Sequence, residues 1–132
     1  MVEPYAAILR ELQSEISILG FHLGDDTNYQ ATYVREDWQI LFRTERHYQP
    51  PLDIWIRHCS SDGAKGEFAV WLLAEIFAPN SMRNARAGDT SLRALLDMGQ
   101  QQVQFLSRYR DQVFIVPPAY AEEYRLRNES PN

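Results

Sequence analysis

The sequence predicts an α+β domain in which a small antiparallel sheet packs against helices. Apolar residues recur with helical spacing near the start of the chain and again late in it, and short segments between them alternate apolar and polar residues. Because the strand-like segments cluster, the predicted order is α-β-β-β-α-α rather than the repeated βαβ of a parallel sheet. The 132 residues, 45% apolar and 23% charged, are typical of one globular domain, residues 1–132.

The first segment has the pattern of a helix that buries one side. Its apolar positions lie at offsets of 0, 3, 4, 7, 11 and 14, and they are Tyr5, Ile8, Leu9, Leu12, Ile16 and Leu19. Pro4 suits the first turn of such a helix, and Gly20 suits its end. We therefore expect a helix between these two residues.

Three segments with alternating side chains follow, at residues 29–35, 38–43 and 52–57. The polar pair Glu36-Asp37 between the first two predicts a β-hairpin. Pro50-Pro51 stops the second strand, and the third strand starts after it. Trp38 and Trp55 stand on these strands, and we expect one or both to fill the core.

The second half of the chain is predicted to be mainly helical. Residues 67–77 are apolar nearly all round and predict a buried central helix, in which Glu75 pairs with Arg57 or Arg43. A further helix repeats the apolar offsets of the first from Leu92 to Leu106, with Asp89 or Thr90 as its cap.

The remaining segments are less regular. Gly99 lies on the apolar stripe of the late helix, so a neighbouring element should approach closely there. Residues 79–90 are polar and basic and predict a mobile loop. Residues 113–116 predict an edge strand or a packed extended segment, and a short tail over residues 117–132 has room for one short helix.

The charge balance excludes several functions. Eighteen acids against 13 bases give a net charge of -5, which argues against nucleic-acid binding. No apolar run is long enough to span a bilayer, and the acidic N-terminal segment differs from a signal peptide, so we expect a cytoplasmic protein that does not bind membranes. The single cysteine, Cys59, suits a reducing compartment.

The sequence lacks the common motifs of catalytic, cofactor-binding and metal-binding sites. The sequence contains no G-x-G-x-x-G, no P-loop, no H-E-x-x-H and no C-x-x-C. His58 and Cys59 are adjacent on a predicted strand, where neighbouring side chains point to opposite faces and cannot form a nucleophilic pair. We therefore expect no catalytic residue, no cofactor and no metal, and hence not an enzyme.

Several surface residues are candidates for contact with a partner. The acids Asp25 and Asp26 precede the hairpin, and Glu36 and Asp37 form its tip, where water solvates them. Arg46 and Tyr48 lie in the loop after the second strand and belong to the residue types that dominate interface hot spots. In a different kind of site, the three arginines of the basic segment 79–93 could hold an anionic ligand; they are Arg83, Arg86 and Arg93.

The pattern of elements resembles a known class of bacterial proteins. A first helix ending in LGF, the hairpin YQATYVREDWQILFRTERHY, the strand LDIWI and the segment EFAVWLLAEIF are similar to the small single-domain immunity proteins of polymorphic and contact-delivered toxin systems. The resemblance implies a non-enzymatic protein that binds one toxin and occludes its active site. The acidic surface would then suit a basic toxin domain, such as a nuclease.

Two other functions fit the same sequence. One is a small-ligand-binding domain or enzyme that uses the basic segment 79–93 for an anionic ligand. The other is an adaptor subunit that forms a homodimer through its sheet edge or its tyrosine-rich tail. The chain is accordingly expected to be a monomer or a homodimer.

Overall fold

A computed structural model of the protein describes residues 1–44, 52–59, 65–80 and 91–129, and it confirms the α+β class. Five strands form one antiparallel sheet, and the helices pack on one of its faces. In chain order the elements are α1 (Tyr5–Ile18), β1 (His22–Asp26), β2 (Gln30–Arg35), β3 (Trp38–Arg43), β4 (Asp53–Cys59), β5 (Lys65–Ala69), α2 (Val70–Phe77), α3 (Leu92–Arg108), α4 (Arg110–Val113) and α5 (Ala121–Glu129).

The sheet is a meander in which each strand pairs with the next along the chain. The predicted hairpin is confirmed: Arg35 of β2 lies opposite Trp38 of β3, and Glu36 takes a left-handed backbone conformation in the turn, with φ of 52°. Strand β4 then pairs with the whole length of β3, from Arg43 opposite Asp53 to Trp38 opposite His58.

The predicted order of three strands lacks two strands that the structure contains. Every residue of strand β1 is exposed, so no alternation of apolar and polar side chains marks this strand in the sequence. Gly24 lies at an irregularity in its pairing with β2, and a Cβ at this position would lie only 2.6 Å from Val34 Cγ2. A short, acidic and bulged strand is typical of a protected sheet edge.

The predicted helix over residues 67–77 is wrong in its first part. Strand β5 occupies Lys65–Ala69, and α2 begins directly afterwards at Val70. The end of the strand and the helix that follows are both buried, as Phe68, Ala69 and Leu73 show. Two buried elements in succession therefore give one long apolar run, in which neither the period of a strand nor that of a helix can be recognised.

A single hydrophobic core lies between the helices and the inner face of the sheet. Helices α1 and α3 approach closely at Gly99, where a Cβ would lie 3.0 Å from Leu12 Cδ1 and 3.6 Å from Ile8 Cγ2. This confirms the close neighbour expected from a glycine on the apolar stripe.

The start of α3 differs from the prediction. Ser91, rather than Asp89 or Thr90, is the cap, and its Oγ accepts a hydrogen bond from the backbone N–H of Ala94 at 3.2 Å. The predicted mobile loop falls mostly on residues 81–90, which lie outside the described residues.

The segment at residues 113–116 is not a strand. Val113 ends α4 and is buried, and the Phe114 ring packs 5.2 Å from Phe21 and 5.3 Å from Trp38. Only the first two residues of the segment pack on the core, because Ile115 is 40% exposed and Val116 is 63% exposed, so the expected packed extended segment is not found over 113–116.

The C-terminal tail contains the one short helix expected, α5, and two tyrosines fasten it to the domain. The backbone N–H of Ala69 on β5 donates a hydrogen bond to Tyr124 Oη at 2.7 Å, and Tyr120 Oη donates to the Val113 carbonyl at 2.6 Å. Both rings meet Phe68 edge to face, with centroids 5.1 and 5.0 Å away. The tail thus covers the end of the sheet-edge strand β5.

Leu73 and Trp71 provide a matched test of which face of α2 is buried. Leu73 is 0% exposed and Trp71 is 57% exposed. Leu73→Ala should lower the free energy of unfolding by about 2–5 kcal/mol, because a buried side chain is lost and a cavity remains. Trp71→Ala should change it by less than about 1 kcal/mol. Urea denaturation of both variants measures the difference, and equal effects would contradict the assignment of the helix face.

Tyr120 should make the protein less stable at alkaline pH. Burial raises the pKa of its hydroxyl well above the usual value, and burial also raises the pKa of Tyr33 and Tyr124. Above pH ~10 the unfolded chain loses these protons while the folded chain keeps them, so the free energy of unfolding falls as pH rises. In Tyr120→Phe this decline should be shallower, by up to about 1.4 kcal/mol per pH unit. Denaturation midpoints between neutral and alkaline pH measure the slope, and an unchanged slope would contradict the assignment.

Candidate protein-binding surface

The sheet face that points away from the helices is the main surface feature of the described residues. Residues paired across antiparallel strands share a face, and the register places Thr32, Leu41 and Trp55 in one row across β2, β3 and β4. The next row contains Gln39, Arg57 and Glu67, and the row on the other side contains Gln30 and Arg43. We call these eight residues the outer face. The buried residues of the described helices belong to the core on the opposite side of the sheet.

A polar network joins four strands on the outer face, β2 to β5. Arg43 Nη2 lies 2.8 Å from Glu67 Oε1, and Arg57 Nη2 lies 3.6 Å from Glu67 Oε2. Arg43 Nε donates to Gln30 Oε1 at 3.0 Å, and Arg57 Nη1 donates to Gln39 Oε1 at 3.1 Å. Both guanidinium groups are thereby held in place on the sheet.

The pairing predicted for Glu75 is replaced by a different carboxylate. Glu67, on β5, contacts both Arg43 and Arg57, whereas Glu75 is a half-buried residue of α2. In the predicted helix over residues 67–77, Glu67 could not lie across the sheet from Arg57, whereas on β5 it is paired with that residue. The contacts of Glu67 with Arg43 and Arg57 therefore depend on strand β5, which the sequence pattern does not predict.

An aromatic side chain lies among the charges of the outer face. Trp55 is half-buried, and the guanidinium carbon of Arg43 lies 5.7 Å from its ring centroid. Leu41, paired with Trp55 across the strands, is fully buried although it is not part of the main core. Trp38 is a buried core residue, as expected, and Trp55 packs against the core while it stays half-buried.

The structure separates the two predicted acids of β1. Asp25 is paired with Thr32 and so shares the outer face, whereas Asp26 is paired with Ala31 and points to the other side. There the N-terminal ammonium of Met1 contacts Asp26 Oδ1. The pKa of Tyr33 is raised by burial and, to a smaller extent, by the charge of Asp26.

The acidic hairpin tip is a separate feature. Glu36 and Asp37 are exposed, as predicted, at the end of β2 that is remote from Asp25. About 10 Å of strand separates Thr32, which lies opposite Asp25, from Arg35, which precedes the tip. The four predicted acids therefore form no single cluster.

Most of the predicted basic and aromatic candidates have no described position. Arg46, Tyr48, Arg83 and Arg86 lie outside the described residues. Arg93 is exposed in the first turn of α3. Of the three arginines predicted to hold an anionic ligand, Arg93 is the one that lies among the described residues.

The geometry agrees with the prediction that His58 and Cys59 do not act together. The His58 side chain is buried on the inner face, where its ring lies 4.7 Å from Trp38 and its Nε2 has no hydrogen-bond partner. Cys59 points to the opposite side at the end of β4 and is half-buried. Among the described residues, no group of three side chains is arranged to hold a metal ion.

No protein-family model matches the sequence, and no curated protein and no solved structure is significantly similar to the chain. None of the described helices combines the length and the apolar composition needed to cross a membrane.

Proposed function

We propose that the chain is a non-enzymatic protein-binding module that acts as an immunity protein, binding and neutralising a cognate bacterial toxin. The observation that supports this most strongly is the outer face. It presents a tryptophan and two arginines on a sheet surface that no described helix covers. Tryptophan and arginine are the residue types most enriched at the energetic centres of protein interfaces.

The network of the outer face suits a binding role. Arg43 and Arg57 are fixed by Glu67 before any partner arrives, so less side-chain freedom is lost on association. Trp55 offers an apolar contact between them, while Gln30 and Gln39 have amide groups for a polar rim.

The charge distribution supports a basic partner. The protein has a net charge of -5, and Asp25, Glu36 and Asp37 are all exposed at the margins of the sheet. Opposite charges on a toxin domain would accelerate the encounter and favour one orientation. Asp26 contributes less to such a field, because the Met1 ammonium contacts it.

Removal of the three free acids should slow association with the toxin. For the variant Asp25→Asn, Glu36→Gln, Asp37→Asn we expect the association rate at low ionic strength to fall about tenfold and to depend less on salt. The dissociation rate should change less, because these charges lie at the margin. Surface plasmon resonance at two salt concentrations, with the protein encoded beside this chain as the partner, measures both rates.

A matched variant distinguishes local charge from total charge. Glu11→Gln, Asp111→Asn removes two exposed acids from the helical side, neither of which is in an ion pair among the described residues, and Glu36→Gln, Asp37→Asn removes two exposed acids from the hairpin tip. The helical-side variant should slow association less than the hairpin-tip variant. Equal slowing would contradict the location of the surface, and the absence of any complex would contradict the toxin-binding proposal itself.

A further inference from the structure

A cleft of about 580 Å³ lies between the end of α1 and the chain around α4. Arg35 and Arg110 line it together with three exposed aliphatic residues, Ile18, Ile115 and Val116. Its volume is in the range of known small-molecule sites. It is distinct from the outer face, since its residues come from the helical side and from the end of β2.

Arg35 is held in position at this cleft. Its guanidinium carbon lies 4.8 Å from the ring centroid of Phe21 and 5.0 Å from that of Phe114. Arg35 Nη1 donates to the carbonyl of Leu19 at 2.7 Å, at the end of α1. A guanidinium has further N–H donors beyond this one, and its planar shape matches a carboxylate.

The aliphatic residues of the cleft are unusually exposed. Ile18 is 73% exposed, Val116 is 63% exposed and Ile115 is 40% exposed. Large apolar side chains grouped on a surface mark sites of interaction. Asp111 also lines the cleft, but the two arginines outnumber it, so the local charge favours an anion.

We propose that this cleft binds a carboxylate carried on an aliphatic body. The carboxylate pairs with Arg110 and Arg35, and the aliphatic part covers Ile18 and Val116. A small inorganic anion would leave the aliphatic residues exposed, and a neutral aliphatic molecule would leave the arginines unpaired. The proposal does not depend on toxin binding, because it concerns a different surface and a different ligand class.

Titration of decanoate into ¹⁵N-labelled protein tests the proposal. We expect saturable shifts in the amide signals of Ile18, Arg110 and Val116, and weaker effects from decanol and from inorganic phosphate. Shifts of equal size with decanol, or decanoate shifts located elsewhere, would overturn it.

A second pair of probes distinguishes the two natural sources of such a ligand. The tripeptide acetyl-Gly-Val-Leu with a free carboxyl group represents a peptide C-terminus, and its amide is the control. Stronger binding of decanoate supports an acyl ligand, whereas stronger binding of the free-acid peptide supports a peptide end. If neither decanoate nor the peptide binds, the proposal is wrong.

Variants at exposed positions test the individual contacts. Arg110→Gln should weaken decanoate binding about tenfold through the loss of a charged hydrogen bond. Asp111→Asn should strengthen it by removing a repelling charge, and Ile18→Ser should weaken it. Arg93→Gln is the matched control and should leave the affinity unchanged. All four residues are exposed, so thermal melts should be close to that of the parent protein. Equal affinity of the Arg110 and Arg93 variants would contradict the site.

Discussion

In the part of the chain that the structure describes, the helices cover one face of the five-stranded sheet, and strand side chains alternate between the two faces. The inner side chains therefore meet the helices in the hydrophobic core, while the polar side chains of the outer face form a network of their own. In this network, Glu67 holds Arg43 and Arg57 across three strands. One-sided packing thus explains both where the core lies and why a charged, aromatic surface is organised on the other side.

The elements that the sequence predicted well are those with one buried side. Helix α1 buries every third or fourth residue, and the β2–β3 hairpin has a buried inner face and a turn of two acids. Strand β1 is exposed along its whole length, so apolar and polar residues do not alternate along it. Strand β5 and helix α2 form one apolar run, and the boundary at Val70 depends on pairing with β4, which is a non-local contact.

The candidate surface could be predicted only in part. Exposure of Glu36 and Asp37 followed from the hairpin, because its tip extends into water. The opposite directions of Asp25 and Asp26, in contrast, follow from the register of an edge strand that the sequence did not reveal. The Glu67 contacts likewise required the pairing of β5 with β4, so the most organised part of the surface was found only from the fold.

The outer face as the binding surface is tested most directly by covalent footprinting of two tryptophans. Trp55 lies on the outer face and Trp71 lies exposed on α2, so both side chains can be labelled in the free protein. On addition of the protein encoded beside this chain, we expect the labelling of Trp55 to fall strongly and that of Trp71 to stay unchanged. Complex formation that protects Trp71 and leaves Trp55 accessible would contradict the assignment of the outer face.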